Sequence, residues 1–365
     1  MSQKALLRTP DGSVVDENGR LVYISGERFR RDIVEGNCCF LCGNAPSGNE
    51  FTDEHIIPDW VLREFSLHKR KVTLSNGATL PYSQYRVPCC TACNSLLGQS
   101  VEQPISQIFK GGYPAVIEFI QKETPWPLFA WMNLLFLKTH LKDRTLRYSL
   151  DARQGTEKIA DFYDWSPMHH IHCIVRAYYT GAKLDPRLMG SVFILPAKNR
   201  EWFERFDYAD FSHHMTMMIR LGETAVVCVL DDACATYSLL KDWFAPKLGG
   251  PLSPVQLREI LARFAHANAA IRTRPEFHTT FEKGQPYISV THPDQFETDP
   301  GDPLLLGKLM EHTCVPLVKG YLAKNEDEVI KGIRSGGWTF LITPDGKFDG
   351  RSMEPVSSNT GSTTS

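Results

Sequence analysis

Six of the ten cysteines in this 365-residue sequence fall into two clusters: Cys38, Cys39, Cys42 and Cys89, Cys90, Cys93. Cys39-Phe-Leu-Cys42 and Cys90-Thr-Ala-Cys93 are CxxC pairs with 47 residues between them. Each pair makes a tight knuckle presenting two sulfurs to one ion, and two knuckles complete a tetrahedral four-cysteine zinc site. Such a site has no open position, so its role is structural. Cys38 and Cys89 permit CxxxC readings, and we take the two-residue spacing in both knuckles. A redox pair of the thioredoxin kind would need a βαβ setting that the pattern lacks. Between the pairs runs Thr52-Asp53-Glu54-His55-Ile56-Ile57-Pro58-Asp59-Trp60, and Asn94 follows the second pair directly. These residue types suit metal-assisted hydrolysis, which needs a base for water and a cation for developing charge. Histidine titrates near neutrality, and a carboxylate with an amide oxygen is enough to hold a hard, largely hydrated divalent ion.

The spacing Glu54-His55-x-x-Pro58-x-Trp60, with Cys90-x-x-Cys93-Asn94 later, resembles the HNH (ββα-metal) endonucleases that carry a four-cysteine zinc ribbon. The resemblance covers roughly residues 37–105. It implies His55 as general base, Glu54 as carboxylate ligand of a catalytic Mg²⁺ or Mn²⁺, and Asn94 as that ion's second oxygen donor. The zinc ribbon would hold the His55 strand and the Asn94 helix at fixed separation. Three positions depart from the common pattern. Glu54, preceded by Asp53, stands where Asp is frequent; Tyr85 replaces a middle Asn that orients the histidine loop; and Asn94 replaces a final His. Strand alternation turns Asp53 and Glu54 to opposite faces, so one of them ligates, and Glu54 is the choice. Glu102, nine residues past Cys93, is a further candidate for the metal shell.

Several elements must position these groups. Residues 1–32 read as a β-hairpin, with Ser13 to Val15 and Leu21 to Ile24 flanking Asn18-Gly19. Pro58-Asp59-Trp60 opens a short helix reaching Leu67. The His68-Lys69-Arg70-Lys71 run is the one concentrated basic stretch near the site, either a phosphate contact or a solvated loop. Residues 33–110 form the zinc-ribbon domain, and 111–350 a larger mixed α/β domain. In the latter, Trp126 to Leu141 reads as a buried helix, and His170 to Tyr179 as a β segment. Met215 to Leu230 reads as a hairpin turning at Gly222-Glu223. A helix from Pro254 has Ser253 and Gln256 as a capping box, and a last strand covers Trp338 to Ile342. The Ser/Thr-rich tail 351–365 is expected to be disordered. The fold class is α+β.

Other clusters carry less. His170 and His172 share a face of the expected strand, and a metal there would need His213 or His214 as well. Met215, Met217 and Met218 read as core filler, Asp231-Asp232 as a turn, and Cys173, Cys228, Cys234 and Cys314 as inert thiols. Charge is balanced, with 40 Lys+Arg against 42 Asp+Glu, and residues 1–110 hold 12 of each. A long footprint on duplex DNA needs more positive charge, so contact with nucleic acid must come from a local patch or a partner. No secretory signal or membrane span is evident, and clustered reduced cysteines fit a cytoplasmic setting. The expectation is a metal-dependent endonuclease acting on DNA, of the kind found in bacterial phage defence and mobile elements. Residues 111–350 would recognise, sense or oligomerise. The alternative is a zinc-ribbon nucleic-acid-binding module that no longer cuts.

Overall fold

Asp16 builds the first turn: its Oδ1 accepts from the Asn18 and Arg20 amides, both at 3.0 Å, and Gly19 takes φ +76°. This turn joins β2 (Val14–Asp16) to β3 (Leu21–Tyr23), as expected, and a further strand, β1 (Leu6–Arg8), pairs antiparallel with β2. The structure is a computed structural model that describes residues 5–319 and 325–353. It is mixed α+β, with the four-cysteine cluster towards the N-terminus. After β3, α1 (Gly26–Arg28) widens into a π-turn over Phe29–Val34, which delivers the first cysteine pair.

The second pair arrives on a strand. β4 (Phe51–His55) is followed by α2 (Asp59–Glu64), the hairpin of β5 (Lys71–Thr73) and β6 (Thr79–Pro81), and then β7 (Arg86–Cys90). β4 and β7 are antiparallel, with Phe51 opposite Cys90 and His55 opposite Arg86. α3 (Thr91–Leu97) begins at the next residue and passes through a π-turn, Gly98–Glu102, into α4 (Gln103–Lys110); α5 (Gly112–Lys122) follows.

α6 (Trp126–Asp143) realises the expected buried helix, and almost every residue from Leu128 to Leu141 is inaccessible. One hydrophobic cluster runs from Leu21 and Leu41 through Ile57 and Val87 to Trp131, Phe136 and Ile219, so the core is continuous across residue 110. α7 (Trp165–Thr180) corrects the expected β segment at 170–179. Asp164 caps it by accepting from the Ser166 amide, and Gly181 ends it at φ +69°. Burial on most sides removes the polar stripe by which periodicity identifies a helix.

β9 (Ser191–Pro196), β10 (Phe206–Phe211), β11 (Thr216–Leu221) and β12 (Thr224–Val229) form a sheet in the order β10-β11-β12-β9. The predicted hairpin turns at Gly222-Glu223. Alternation sends Met217, Ile219 and Val226 into the core shared with α6, and Met218, Ala225 and Val227 into a second core against α9 (Pro254–Ala270). Both faces of β11 and β12 are covered, so these two central strands read as largely apolar runs rather than alternating ones.

α8 (Ala235–Phe244) precedes α9, whose capping box between Ser253 and Gln256 is reciprocal as expected. The hairpin β13 (Glu276–Glu282) and β14 (Gln285–Thr291) adds the short parallel β8 (Lys183–Leu184) at its edge. α10 (Pro303–Val318) and α11 (Glu326–Arg334) complete the layer on α9. The expected strand at 338–342 does not form. Glu259 accepts from the Phe340 amide at 2.5 Å and Gln256 donates to the Phe340 carbonyl at 2.8 Å, so side chains of α9 satisfy the backbone that a neighbouring strand would have paired. Of the tail, residues 351–353 form a turn and 354–365 lie outside the described residues.

Candidate functional site

The first knuckle closes on its own backbone. Gly43 N donates to Cys39 O at 2.9 Å, Cys39 N to Asn44 O at 2.8 Å, and Asn44 N to Cys42 Sγ at 3.4 Å. Gly43 has φ +81°, a left-handed conformation that favours glycine, and a Cβ there would press on Leu21 Cδ1 at 2.8 Å. α7 braces the knuckle from behind. His172 Nε2 donates to Phe40 O at 2.7 Å, and Arg176 Nε donates to Leu41 O at 2.7 Å. The second knuckle is the end of β7 and first turn of α3, anchored by Thr91 N donating to Glu50 O at 2.9 Å.

These supports bring the sulfurs of Cys39, Cys42, Cys90 and Cys93 within 4.8 Å of one another, all in buried residues. Among the described residues no other group of three or more His, Cys, Asp or Glu side chains comes close enough to share an ion. The two-residue spacing is therefore the one realised. Cys89 Sγ lies 3.8 Å from Cys39 Sγ but outside the set. Hydrogen bonds among the sulfurs push the Cys39 thiol far down and the Cys42 thiol up to about 12. Such a cluster ionises fully only around a cation, and four sulfurs in this compass fit zinc.

The groups expected to do chemistry are split between the two faces of β4. His55 stands on the face shared with its ladder partner Arg86. Its Nε2 is buried without a hydrogen-bond partner, as are Arg86 Nε and Trp60 Nε1. Burial first, and the Arg86 guanidinium second, lower the His55 pKa below its ordinary 6.5. Trp60 lies against Trp131 and Phe109 as a core aromatic. Arg86 has no counterpart in the sequence motif; only the β4–β7 register identifies it.

Thr52 and Glu54 share the opposite face. Asn94 Nδ2 donates to Thr52 Oγ1 at 2.9 Å, tying the first turn of α3 to β4. Glu54 is 6% exposed and is held by Lys138 of α6, whose Nζ lies 2.7 Å from Glu54 Oε1, 2.7 Å from His55 O and 3.2 Å from Glu102 Oε1. Glu54 and Glu102 thus converge as two ligands of one cation should, and that cation is a lysine. Burial opposes the Lys138 charge, but Glu54 and Glu102 outweigh it and raise the pKa. Burial lifts Glu102 to about 6, with Lys138 acting the other way. A divalent ion does not fit this arrangement, because the ammonium already lies among the oxygens the ion would need.

Tyr85 sits at the position of the missing Asn and is 5% exposed. Burial first, then the charges of Asp143 and Asp210, push its pKa well above 10. Its carbonyl accepts from Ile56 N at 3.0 Å, so backbone rather than an Asn side chain ties the His55 loop to β7.

No family model, curated protein or solved structure matches the chain.

The remaining candidates take structural parts. Arg70 makes a bidentate pair with Glu204, and His68 Nε2 lies 3.0 Å from Asp59 Oδ1, so half of the basic run is committed to the protein. His170 stacks on Phe277 at 3.6 Å, and His169 Nε2 donates to Ile24 O at 2.8 Å. Helix geometry separates His170 from His172, and the three histidines converge on no ion. Asp232 accepts from the amides of Ser191 (2.8 Å) and Thr236 (2.7 Å), which makes it a turn residue. Met217 and Met218 are fully buried on opposite faces of the sheet. Among the described residues no helix is long and apolar enough to cross a membrane.

Proposed function

We propose that residues 33–110 form an HNH-type endonuclease module that hydrolyses phosphodiester bonds of DNA, with His55 as general base. One observation carries this reading: two antiparallel strands and a helix, joined at the four-cysteine cluster, hold His55 opposite Arg86 with an unpartnered imidazole nitrogen. A neutral imidazole takes a proton from water as the water oxygen attacks phosphorus, and the bond to the leaving oxygen breaks. The Arg86 guanidinium, the ladder partner of His55, would donate to phosphate oxygens as their charge grows. The four-cysteine cluster would hold zinc, in a structural role. The resemblance implies that Glu54 and Asn94 would hold Mg²⁺ or Mn²⁺, which would supply the remaining positive charge. Here that carboxylate is already neutralised by Lys138.

The substrate class follows from the same resemblance, as does a role in bacterial defence or a mobile element, with residues 111–350 as a regulatory or oligomerising part. A second reading is favoured by two observations, the burial of Tyr85 and the engagement of Glu54: a zinc-ribbon module that binds nucleic acid without cutting it. Plasmid nicking in Mg²⁺ or Mn²⁺ separates the two. The nuclease reading expects cutting by the wild type and a loss of at least about 10²-fold in His55→Ala. Equal cutting by both proteins would overturn His55 as base. Retained DNA binding with no cutting by either would favour the second reading.

A further inference from the structure

A cavity of about 570 Å³ lies between the first half of α7, Tyr23 of β3 and Phe277 of β13, and none of its lining residues belongs to β4, β7 or the cysteine cluster. His169 and Cys173 stand on its wall, four positions apart and so on one face of the helix. Cys173 Sγ lies 3.8 Å from His169 Nε2. The same nitrogen donates to Ile24 O at 2.8 Å, which fixes the ring with a proton on the edge that faces the sulfur. Arg176, one turn further along, is held by Leu41 O at 2.7 Å and Leu21 O at 2.6 Å and adds a fixed positive charge.

Burial opposes charge on both members of the pair. At His169 the neighbouring Cys173 outweighs it and raises the pKa to about 9, and at Cys173 the charges of His169 and Arg176 outweigh it and lower the thiol below its ordinary value. These neighbours favour a thiolate, the form of cysteine that reacts. A second feature of the same wall points to something taken in. His170 is 8% exposed, and its Nε2 has no hydrogen-bond partner although the ring stacks on Phe277. A polar atom buried in a cavity wall without a partner is one that a small polar guest would satisfy.

We propose that the Cys173–His169 pair is an oxidative modification site, at which a small hydroperoxide converts the Cys173 side chain to a sulfenic acid. The sulfur attacks one peroxide oxygen, an S–O bond forms and the O–O bond breaks. The leaving oxygen takes a proton from the His169 imidazolium and, for hydrogen peroxide, departs as water. Sulfur is thereby oxidised by two electrons and the peroxide reduced by two. Cys173 is the one cysteine among the lining residues, so the sulfenic acid meets no second thiol in the cavity. The thiol expected to be inert is the reactive one, and nothing in this pair depends on the nuclease reading.

The other cysteines supply the comparison. Cys38 and Cys234 are more exposed than Cys173, so accessibility alone would have them react first. Burial pushes the Cys234 thiol up to about 11, and thiolate character favours Cys173 instead. The full zinc-loaded chain is treated with limiting hydrogen peroxide and dimedone, which adds to sulfenic acids, and the labelled peptides are quantified by mass spectrometry. Cys173 should carry at least about tenfold more label than Cys38 or Cys234, and His169→Gln should lower its labelling by about the same factor with zinc content unchanged. Label on Cys38 or Cys234 equal to that on Cys173, or equal labelling of Cys173 in wild type and His169→Gln, would overturn the site. The wild-type ranking needs no variant, so it decides the matter even where the substitution prevents folding.

Discussion

His55 and Arg86 face each other across the β4–β7 ladder, and burial first, with the Arg86 charge second, favours the neutral imidazole. A base must be neutral to accept a proton. Because burial and Arg86 lower the His55 pKa, the neutral form persists below the pH at which a free histidine is half protonated. The acid limb of the cleavage profile should therefore fall below pH 6.5. Arg86→Ala removes one of the lowering influences and should move that limb upward. It should also slow cutting by about 10²-fold through lost phosphate contact. A pH–rate series on the two proteins decides both points, and an unmoved limb would separate Arg86 from His55.

The cluster makes a prediction about which cysteines matter. Cys42→Ser or Cys93→Ser should lose the bound zinc and melt at lower temperature, because metal binding and folding are linked. Cys38→Ser and Cys89→Ser should keep one zinc per chain, although Cys89 packs against Cys39. Elemental analysis with a melting curve for each variant checks the assignment.

Restoring the family residue at position 85 should harm the protein. Tyr85→Asn replaces a buried ring with a smaller polar group beside Asp143 and Asp210. The loss of volume should cost about 3 kcal/mol, read as a lower urea midpoint with zinc retained. Stability equal to wild type would mean that the ring is not part of the packed core.

Acid should destabilise the fold through two histidines on α7. Burial lowers His170 to about 3 and puts His172 well below its ordinary value. Below pH 6.5 the unfolded chain takes up protons that these folded side chains refuse, so stability falls as pH drops from 6.5 towards 3. The slope is about 1.4 kcal/mol per pH unit for each such group. His170→Phe, which keeps a ring against Phe277, should flatten the decline in a series of denaturation curves.

What could be read from the residues alone was whatever depends on neighbours in the chain. The Asn18-Gly19 turn, the capping box at Ser253 and Gln256, the hairpin at Gly222-Glu223 and the two-residue cysteine knuckles are local geometries, and each occurs where expected. α7 could have been recognised from its ends, Asp164, Pro167 and Gly181, but its buried interior hid the helical period. Contacts between distant residues were not legible. Lys138 meets Glu54 across 84 positions, Arg86 gains its place from strand register, and segment 338–342 is held by α9 rather than by a strand. Local residue types specify which groups can ligate or take a proton. Only the tertiary structure decides which of them are already satisfied, because burial removes water and makes each charge depend on whatever the fold places beside it.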